Sequence, residues 1–243
     1  MIELIKKLEG IVISEVPYHE TSKIINILTK EDGVIGVVAK GAMRPKSPYA
    51  GLTNKLTYGV FHINYRDNLS SLIEVDLIDS LKNIKRDLLK MSYALYLLDL
   101  VNQVCKHEYN SNIYCDFIAS ILKINEGFDP LVITNILELK MLDFLGIRPC
   151  IDKCVSCHNT SSIVTISSYR GGYLCKDCLK NERIVNTKTI KLLRMFYYVD
   201  IAKIEKLDIS ENIKKEINLF IDDYYDRYSG LYLKSKSFLN KIS

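Results

Sequence analysis

No stretch of this 243-residue chain approaches the roughly 18–20 uncharged apolar residues that a membrane-spanning helix needs. Residues 1–9 carry charges where an export signal needs an apolar segment, so a cytoplasmic protein with no membrane partner is expected. The chain has neither a Walker phosphate loop nor a Gly-x-Gly-x-x-Gly turn, which removes the usual support for nucleotide hydrolysis. Its four histidines, His19, His62, His107 and His158, are scattered, with no Ser or Cys nucleophile and no carboxylate at a recognisable spacing. Pro149-Cys150 is not followed by a second cysteine at the spacing of zinc deaminases, and there is no His-x-Glu to act as their proton shuttle. There is no repeat, no low-complexity segment and no Pro/Gly/Ser-rich linker.

What is present is an ordinary globular composition, 48% apolar and 26% charged, enough to bury a core in one to two domains. The net charge is only +4, but its distribution is uneven. Residues 1–80 hold nine Lys+Arg against ten Asp+Glu, residues 81–149 eight against eight, and residues 150–243 sixteen against eleven. Between Gly33 and Arg66 there is no acidic residue at all, while Lys40, Arg44, Lys46, Lys55 and Arg66 are all cationic.

Four of the seven cysteines form two Cys-x-x-Cys pairs, Cys154 with Cys157 and Cys175 with Cys178, seventeen residues apart. This spacing suits two knuckles that turn four thiolates toward one tetrahedral Zn²⁺. With no export signal, metal is favoured over disulfides. Four thiolates close the coordination shell and leave no place for an activated water, so a single structural zinc is expected, with Gly171 and Gly172 supplying the tight turn before the second pair. Cys105 and Cys115 lie in helical patterns and read as small buried residues. Cys150 lies close to the first pair but is not needed to complete the shell.

Residues 7–15, 22–29, 34–39, 56–65 and 72–81 read as five strands with no helical period between them, which suggests a small five-stranded barrel of the OB type. From Ser80, a plausible N-cap, the period becomes helical through Ile84, Leu88, Met91, Leu95, Leu98 and Val101. Further helices are expected over 113–125, 130–145 (ending at Gly146), 187–200 and 210–228. The architecture is thus α+β and multidomain. An OB-fold barrel over 1–80 precedes a helical domain over 81–243, into which a four-cysteine zinc ribbon is inserted at about 150–183. Tyr197, Tyr198, Tyr224, Tyr225 and Tyr228 fall at helical spacing and read as core or interface.

Residues 40–54 form a loop that presents Lys40, Arg44 and Lys46 around Gly41 and Pro45. Such a patch suits phosphates, and Tyr49, Tyr58, Phe61 and Tyr65 could stack on bases. Strand alternation, however, sends Phe61 and Tyr65 to one face and Tyr58 to the other, so some of these rings must face the core. An acidic protein tail would fit the same cations, which leaves a zinc-ribbon adaptor without DNA contact as the alternative. A metal-dependent nucleic-acid enzyme would need an open metal site or a carboxylate cluster, and neither is visible.

Several segments together resemble one family. They are 8–13, 20–23, Gly33 with Gly36, the run Lys40-Gly41-Ala42 with Arg44-Pro45-Lys46-Ser47, Gly146 with Pro149, the two cysteine pairs, and 233–239. In that order they are similar to the bacterial DNA repair family RecO, over essentially the whole chain. The resemblance implies an OB-fold followed by a helical domain with a zinc ribbon, and no catalytic turnover. It implies binding of single- and double-stranded DNA and annealing of complementary strands. It also implies cooperation with RecR and, in many members, RecF, loading of RecA, and contact with the acidic C-terminal tail of single-stranded-DNA-binding protein. By resemblance Lys40, Arg44 and Lys46 lead the DNA contacts, with Lys55, Arg66 and Tyr49 as further candidates. Met43 stands where the family often has another Arg, which removes one charge from the patch. Some family members lack the cysteines, in keeping with a structural metal.

Overall fold

The computed structural model describes residues 4–107 and 109–239. The outer ends of the two expected domains, residues 1–3 and 240–243, lie outside the described residues, as does Glu108. The chain divides into two compact units, residues 1–115 and 116–243.

The first unit is built on β1 (Leu4–Tyr18), β2 (Ser22–Thr29), β3 (Gly33–Ala39), β4 (Tyr58–Tyr65) and β5 (Ser70–Asp79). They close into a barrel in the order β1-β2-β3-β5-β4, the Greek-key order of an OB-fold. The first strand is longer than its apolar segment predicts because it serves two neighbours. Leu4–Ile11 pairs with β4 and Gly10–Tyr18 with β2, and an irregularity between Val12 and Ser14 lets the strand turn the corner. Inward positions supply the core, with Leu8, Val12, Ile25, Ile27, Val37, Phe61, Ile63, Leu72 and Val75 packed together. Phe61 and Ile63 are wholly buried there and Tyr65 packs against them. Tyr58 points the other way and donates to Glu9 at 2.7 Å, as the alternation requires. Glu9 also accepts from Tyr114 at 3.0 Å, which fixes residue 114 against β1. Burial raises the Tyr58 hydroxyl's pKa above its ordinary value, and the adjacent Glu9 carboxylate raises it further, so this phenol stays a donor.

The expected helix start at Ser80 is corrected. Leu81 adopts a left-handed conformation (φ 50°), its N–H bonded to the Asp79 carboxylate at 2.6 Å, and a single turn, α1 (Lys82–Lys85), follows. The long helix α2 (Leu88–Val104) begins only at Asp87, whose side chain accepts from the N–H groups of Leu89 and Lys90. An ionised Asp accepts more strongly than a Ser hydroxyl at such a position.

Helix α3 (Ser111–Glu126) spans the boundary between the units. In the second unit α4 (Pro130–Phe144) starts with Asp129 as cap and Pro130 in its first turn, and ends at Gly146 (φ 70°). The hairpin β6 (Ile163–Ser167) and β7 (Gly172–Cys175) follows, then α5 (Thr187–Tyr198), α6 (Glu211–Tyr228) and the short α7 (Lys234–Leu239). The expected helix over 187–200 stops at Tyr198, and the chain makes a separate 3-10 turn at Ile201–Lys203, capped by Asp200. Tyr197, Tyr224 and Tyr225 are buried, and Tyr225 donates to the Glu138 carbonyl at 2.9 Å.

At Gly59 β4 and β5 approach closely. A Cβ there would lie 2.5 Å from the Asp76 carbonyl oxygen, a clash that no side-chain rotation relieves. Gly59→Ala is therefore expected to lower the unfolding free energy by about 1–3 kcal/mol, measured by urea denaturation; an unchanged midpoint would contradict this strand spacing.

Candidate metal centre and candidate nucleic-acid interface

The four motif cysteines meet as their spacing predicts. The sulfurs of Cys154, Cys157, Cys175 and Cys178 all lie within 4.8 Å of one another, and those of Cys157 and Cys175 are 3.6 Å apart. Four thiolates around a tetrahedral zinc, at Zn–S of about 2.3 Å, sit roughly 3.8 Å apart, close to the spacing of this cluster, which could hold such an ion. Each knuckle is held by backbone bonds. Cys154 N–H donates to Asn159 O at 2.7 Å and His158 N–H to Cys154 O at 2.9 Å, with His158 in a left-handed conformation (φ 62°) that closes the turn. The second knuckle is a 3-10 turn, Lys176–Cys178, closed by Leu179 N–H to Cys175 O. Val155 N–H then joins the first knuckle to Tyr173 O on β7.

Burial pushes the Cys154 thiol up, but the backbone N–H groups of Cys157, Cys175 and Ser156 outweigh it and hold the thiol down at about 6. A thiolate poised in this way is a ready metal ligand. The apolar residues around the cluster are few: Leu174, with Val155 and Ile163 at its edge.

Cys150 is not a member of the cluster. Its thiol donates to the Lys153 carbonyl at 3.3 Å, and its backbone forms an isolated bridge to Gly172. That bridge explains the glycine: a Cβ on Gly172 would lie 2.8 Å from the Cys150 carbonyl carbon. The segment between Cys150 and Cys154 is anchored by Asp152, which accepts from Tyr198 (2.8 Å), Arg194 (3.0 Å) and Arg148 (3.1 Å), while Arg148 stacks 4.5 Å over the Tyr197 ring. The Tyr198, Arg194 and Arg148 groups together depress the Asp152 carboxyl below its ordinary pKa. The 150–154 segment's role as anchor was not visible from spacing alone. It also engages Arg194, one of the cations in the basic C-terminal half, with a carboxylate.

The loop between β3 and β4 is not slack. Successive tight turns run along it, with Arg44 N–H to Gly41 O, Ser47 N–H to Arg44 O, Ala50 N–H to Ser47 O and Leu52 N–H to Tyr49 O, each 3.0–3.1 Å. Ala42, Tyr49 and Leu52 pack against the barrel core, so the loop is pegged at several points. Lys40, Arg44 and Lys46 are left exposed on it, and among the described residues none has a carboxylate within ion-pair distance. Met43, exposed beside them, donates its N–H to Thr21 O at 2.9 Å, which sets the loop against the β1–β2 turn.

Of the remaining candidates, Lys55 and Arg66 are exposed but lie at opposite ends of β4, a strand of eight residues spanning roughly 23 Å. Lys55 belongs with the loop: its neighbour Asn54 accepts from Lys23 at 2.9 Å, and Lys23 is paired in register with Ala39. Arg66 sits in the β4–β5 turn, where its N–H bonds Ser70 Oγ. Tyr49 is half-buried, its ring against the core and its hydroxyl donating to Ile73 O at 2.9 Å, so its role here is to brace the loop. Tyr18, at the end of β1, was passed over in the sequence; its ring meets that of His19 edge-on at 4.1 Å where the β1–β2 turn begins, beside the cationic loop. The signal was available, because OB-folds place ligands on that turn and on the β4–β5 turn.

A closed barrel in OB strand order, carrying an uncompensated cationic loop and joined to helices with a four-cysteine ribbon, defines an OB-fold, cysteine-ribbon protein. Comparison with known proteins makes this specific. Residues 1–81 match the family model for the recombination protein O N terminal region and residues 85–237 the one for its C terminal region. The chain belongs to the recombination protein O family. It is 37% identical over 240 residues to the DNA repair protein RecO of Halalkalibacterium halodurans, covering 97% of this chain and 94% of that one. It is 37% identical over 243 residues to that of Bacillus subtilis, covering 98% and 95%. A Listeria monocytogenes relative of the same name is 35% identical over 241 residues. Among the described residues, no helix is long and apolar enough to cross a membrane.

After incubation with zinc, Cys154→Ser or Cys175→Ser is expected to retain well below the metal that the unaltered chain takes up, read by elemental analysis, and to melt at a lower temperature. Cys150→Ser should leave the metal content unchanged, because its sulfur lies outside the cluster; a Cys150 variant that loses metal would contradict the assignment of ligands.

Proposed function

We propose that this protein acts in DNA repair and homologous recombination as a mediator that binds DNA and does no covalent chemistry. The observation that carries this is the cationic loop of the barrel. Lys40, Arg44 and Lys46, with Lys55 close to them in the fold, stand exposed and without carboxylate partners on a loop that is rigidly pegged. Phosphate neutralisation supplies most of the affinity of such surfaces. Tyr18 and His19 offer stacking beside it, and Arg66 in the β4–β5 turn extends the path across the barrel. In this reading the barrel, residues 1–80, is the DNA-binding domain, and residues 81–243 form the helical domain with the ribbon at 150–183.

Binding of both single- and double-stranded DNA follows from a backbone-directed patch, and annealing follows if a second strand is neutralised at the same time. Lys176, Lys180 and Arg183, exposed near the ribbon, are the available cations for that strand. Membership of the family supports the further roles: cooperation with RecR and, where present, RecF, loading of RecA, and nucleoid association in the cytoplasm. The acidic tail of single-stranded-DNA-binding protein needs cations beside apolar surface. An open hollow of about 640 Å³ lined by Lys191, Arg194, Met195, Tyr198 and Val199 has that chemistry. One zinc ion held by Cys154, Cys157, Cys175 and Cys178 would supply cross-linking of the two knuckles. A four-thiolate shell leaves no open position for a reacting water, which assigns it a structural role.

The double variant Arg44→Glu/Lys46→Glu is expected to bind single-stranded oligonucleotides at least tenfold more weakly at low salt. The log–log salt dependence should flatten by about 0.7 for each phosphate that is no longer neutralised. Zinc content and melting temperature should not change. An unaltered slope in a titration from low to moderate salt would remove the loop from the DNA surface.

A further inference from the structure

The strand β5 has features that DNA binding leaves unused. From Asp67 to Leu81 the chain has no cation, but it carries Asp67, Glu74, Asp76 and Asp79. This acidic stretch follows directly on the acid-free one that ends at Arg66, so the barrel's near-neutral charge conceals two opposite patches. On the same strand Ile73 is 44% exposed, Leu77 49% and Ile78 46%, a concentration of large aliphatic side chains that a solvated strand does not need.

The backbone of β5 is also half open. One edge pairs with β4 from Ser71 to Asp79. The other pairs with β3 only at Ser70 and Ser71. From Leu72 to Ile78, among the described residues, no further strand or backbone group takes up that edge; one side chain, the Tyr49 hydroxyl, reaches the Ile73 carbonyl. An uncovered edge presents donors and acceptors at every second residue and invites another strand. Charged residues can guard an edge against such pairing, and Glu74 and Asp76 could do so. Guarding does not account for three exposed aliphatic residues among the carboxylates, which instead make a surface both apolar and anionic. Nucleic acid is the wrong occupant, because Glu74, Asp76 and Asp79 would repel phosphates. On the neighbouring strand β4 the group that answers them is His62, 2.9 Å from Asp76 and cationic only when protonated.

We propose that the β5 edge from Leu72 to Ile78 is a docking site for an extended segment of a partner protein with alternating cationic and aliphatic side chains, added to the barrel as a further strand. Backbone bonds to the open edge would hold it. Its cations would meet Glu74 and Asp76, and its aliphatic groups would cover Ile73, Leu77 and Ile78. The segment would share the Ile73 carbonyl with Tyr49, so docking would reach the brace of the cationic loop. The proposal stands apart from the DNA-binding assignment, since it concerns the opposite charge on a different strand.

The test uses the full chain and a blocked octapeptide of alternating Lys and Val, with amide hydrogen exchange as the readout. The peptide is expected to slow exchange at the open-edge amides of residues 72–78 by about tenfold or more. Glu74→Lys/Asp76→Lys should abolish that protection while leaving oligonucleotide binding intact. A peptide N-methylated at alternate residues, which keeps its charge but cannot donate along one edge, should fail to protect. The proposal is overturned if protection maps elsewhere or if the N-methylated peptide works equally well. It is likewise overturned if the edge amides of the free protein become protected as its own concentration rises, because a second copy would then be the occupant. Protection of the same amides by a single-stranded oligonucleotide would also overturn it.

Discussion

A closed five-stranded barrel has a fixed interior, and whatever enters it must be apolar. This constraint orders the rest of the first unit. The long connection between β3 and β4 is rich in Gly, Pro and cations and has little propensity for regular structure. It is nevertheless held, because Ala42, Tyr49 and Leu52 pack against the barrel core and successive tight turns run between these pegs. The cations cannot follow them inward, since burying an unpaired ammonium or guanidinium would cost far more than the turns could supply. Lys40, Arg44 and Lys46 are exposed for that reason. Pre-ordering of the loop favours binding of any ligand there, because less conformational freedom remains to be lost.

The ribbon obeys a different constraint. Its few apolar residues cannot drive folding by burial, as a segment of this size without a metal or disulfide seldom stands alone. Four sulfurs held this close would repel one another once ionised, and a divalent cation bound there would turn that repulsion into the main cohesive term. The protein side of the arrangement is visible in Asp152. It fastens the first knuckle to α5 through Arg194 and Tyr198 and to the preceding loop through Arg148. Tyr173 fastens the hairpin by donating to the Ile190 carbonyl. The four-cysteine cluster is thus tied to the helices by polar side chains, Asp152 at the surface and Tyr173 buried.

Much of this was legible in the sequence, and the misses have identifiable causes. Five strands, the helices and the cysteine cluster follow from period and spacing, which are local properties. Strand ends were less accessible: β1 extends to Tyr18 through Val16 and Pro17 because β2 supplies partners there, a non-local fact. The helix start failed because Ser80 and Asp87 both satisfy the same local rule. Between them stands Leu81, buried and in a left-handed conformation, where the chain turns before the long helix. Tyr49 looked like a stacking residue among cations. Only the position of the Ile73 carbonyl, contributed by a strand more than twenty residues later, reveals it as a brace.

Charge shows the same limit from the other side. Counting residues 1–80 gives near neutrality, which by itself argues against a nucleic-acid surface. From Gly33 onward, order along the chain separates the signs, with five cations and no carboxylate through Arg66, then four carboxylates and no cation from Asp67 to Leu81. The barrel keeps that separation because the loop and β5 are different parts of one closed surface, joined where Tyr49 meets Ile73. A uniform mixture of the same residues would attract neither phosphate nor cationic protein, since each field would be cancelled within a Debye length of about 10 Å at ordinary ionic strength. Order along the chain, rather than net charge, is what gives one small barrel a cationic loop and an acidic strand.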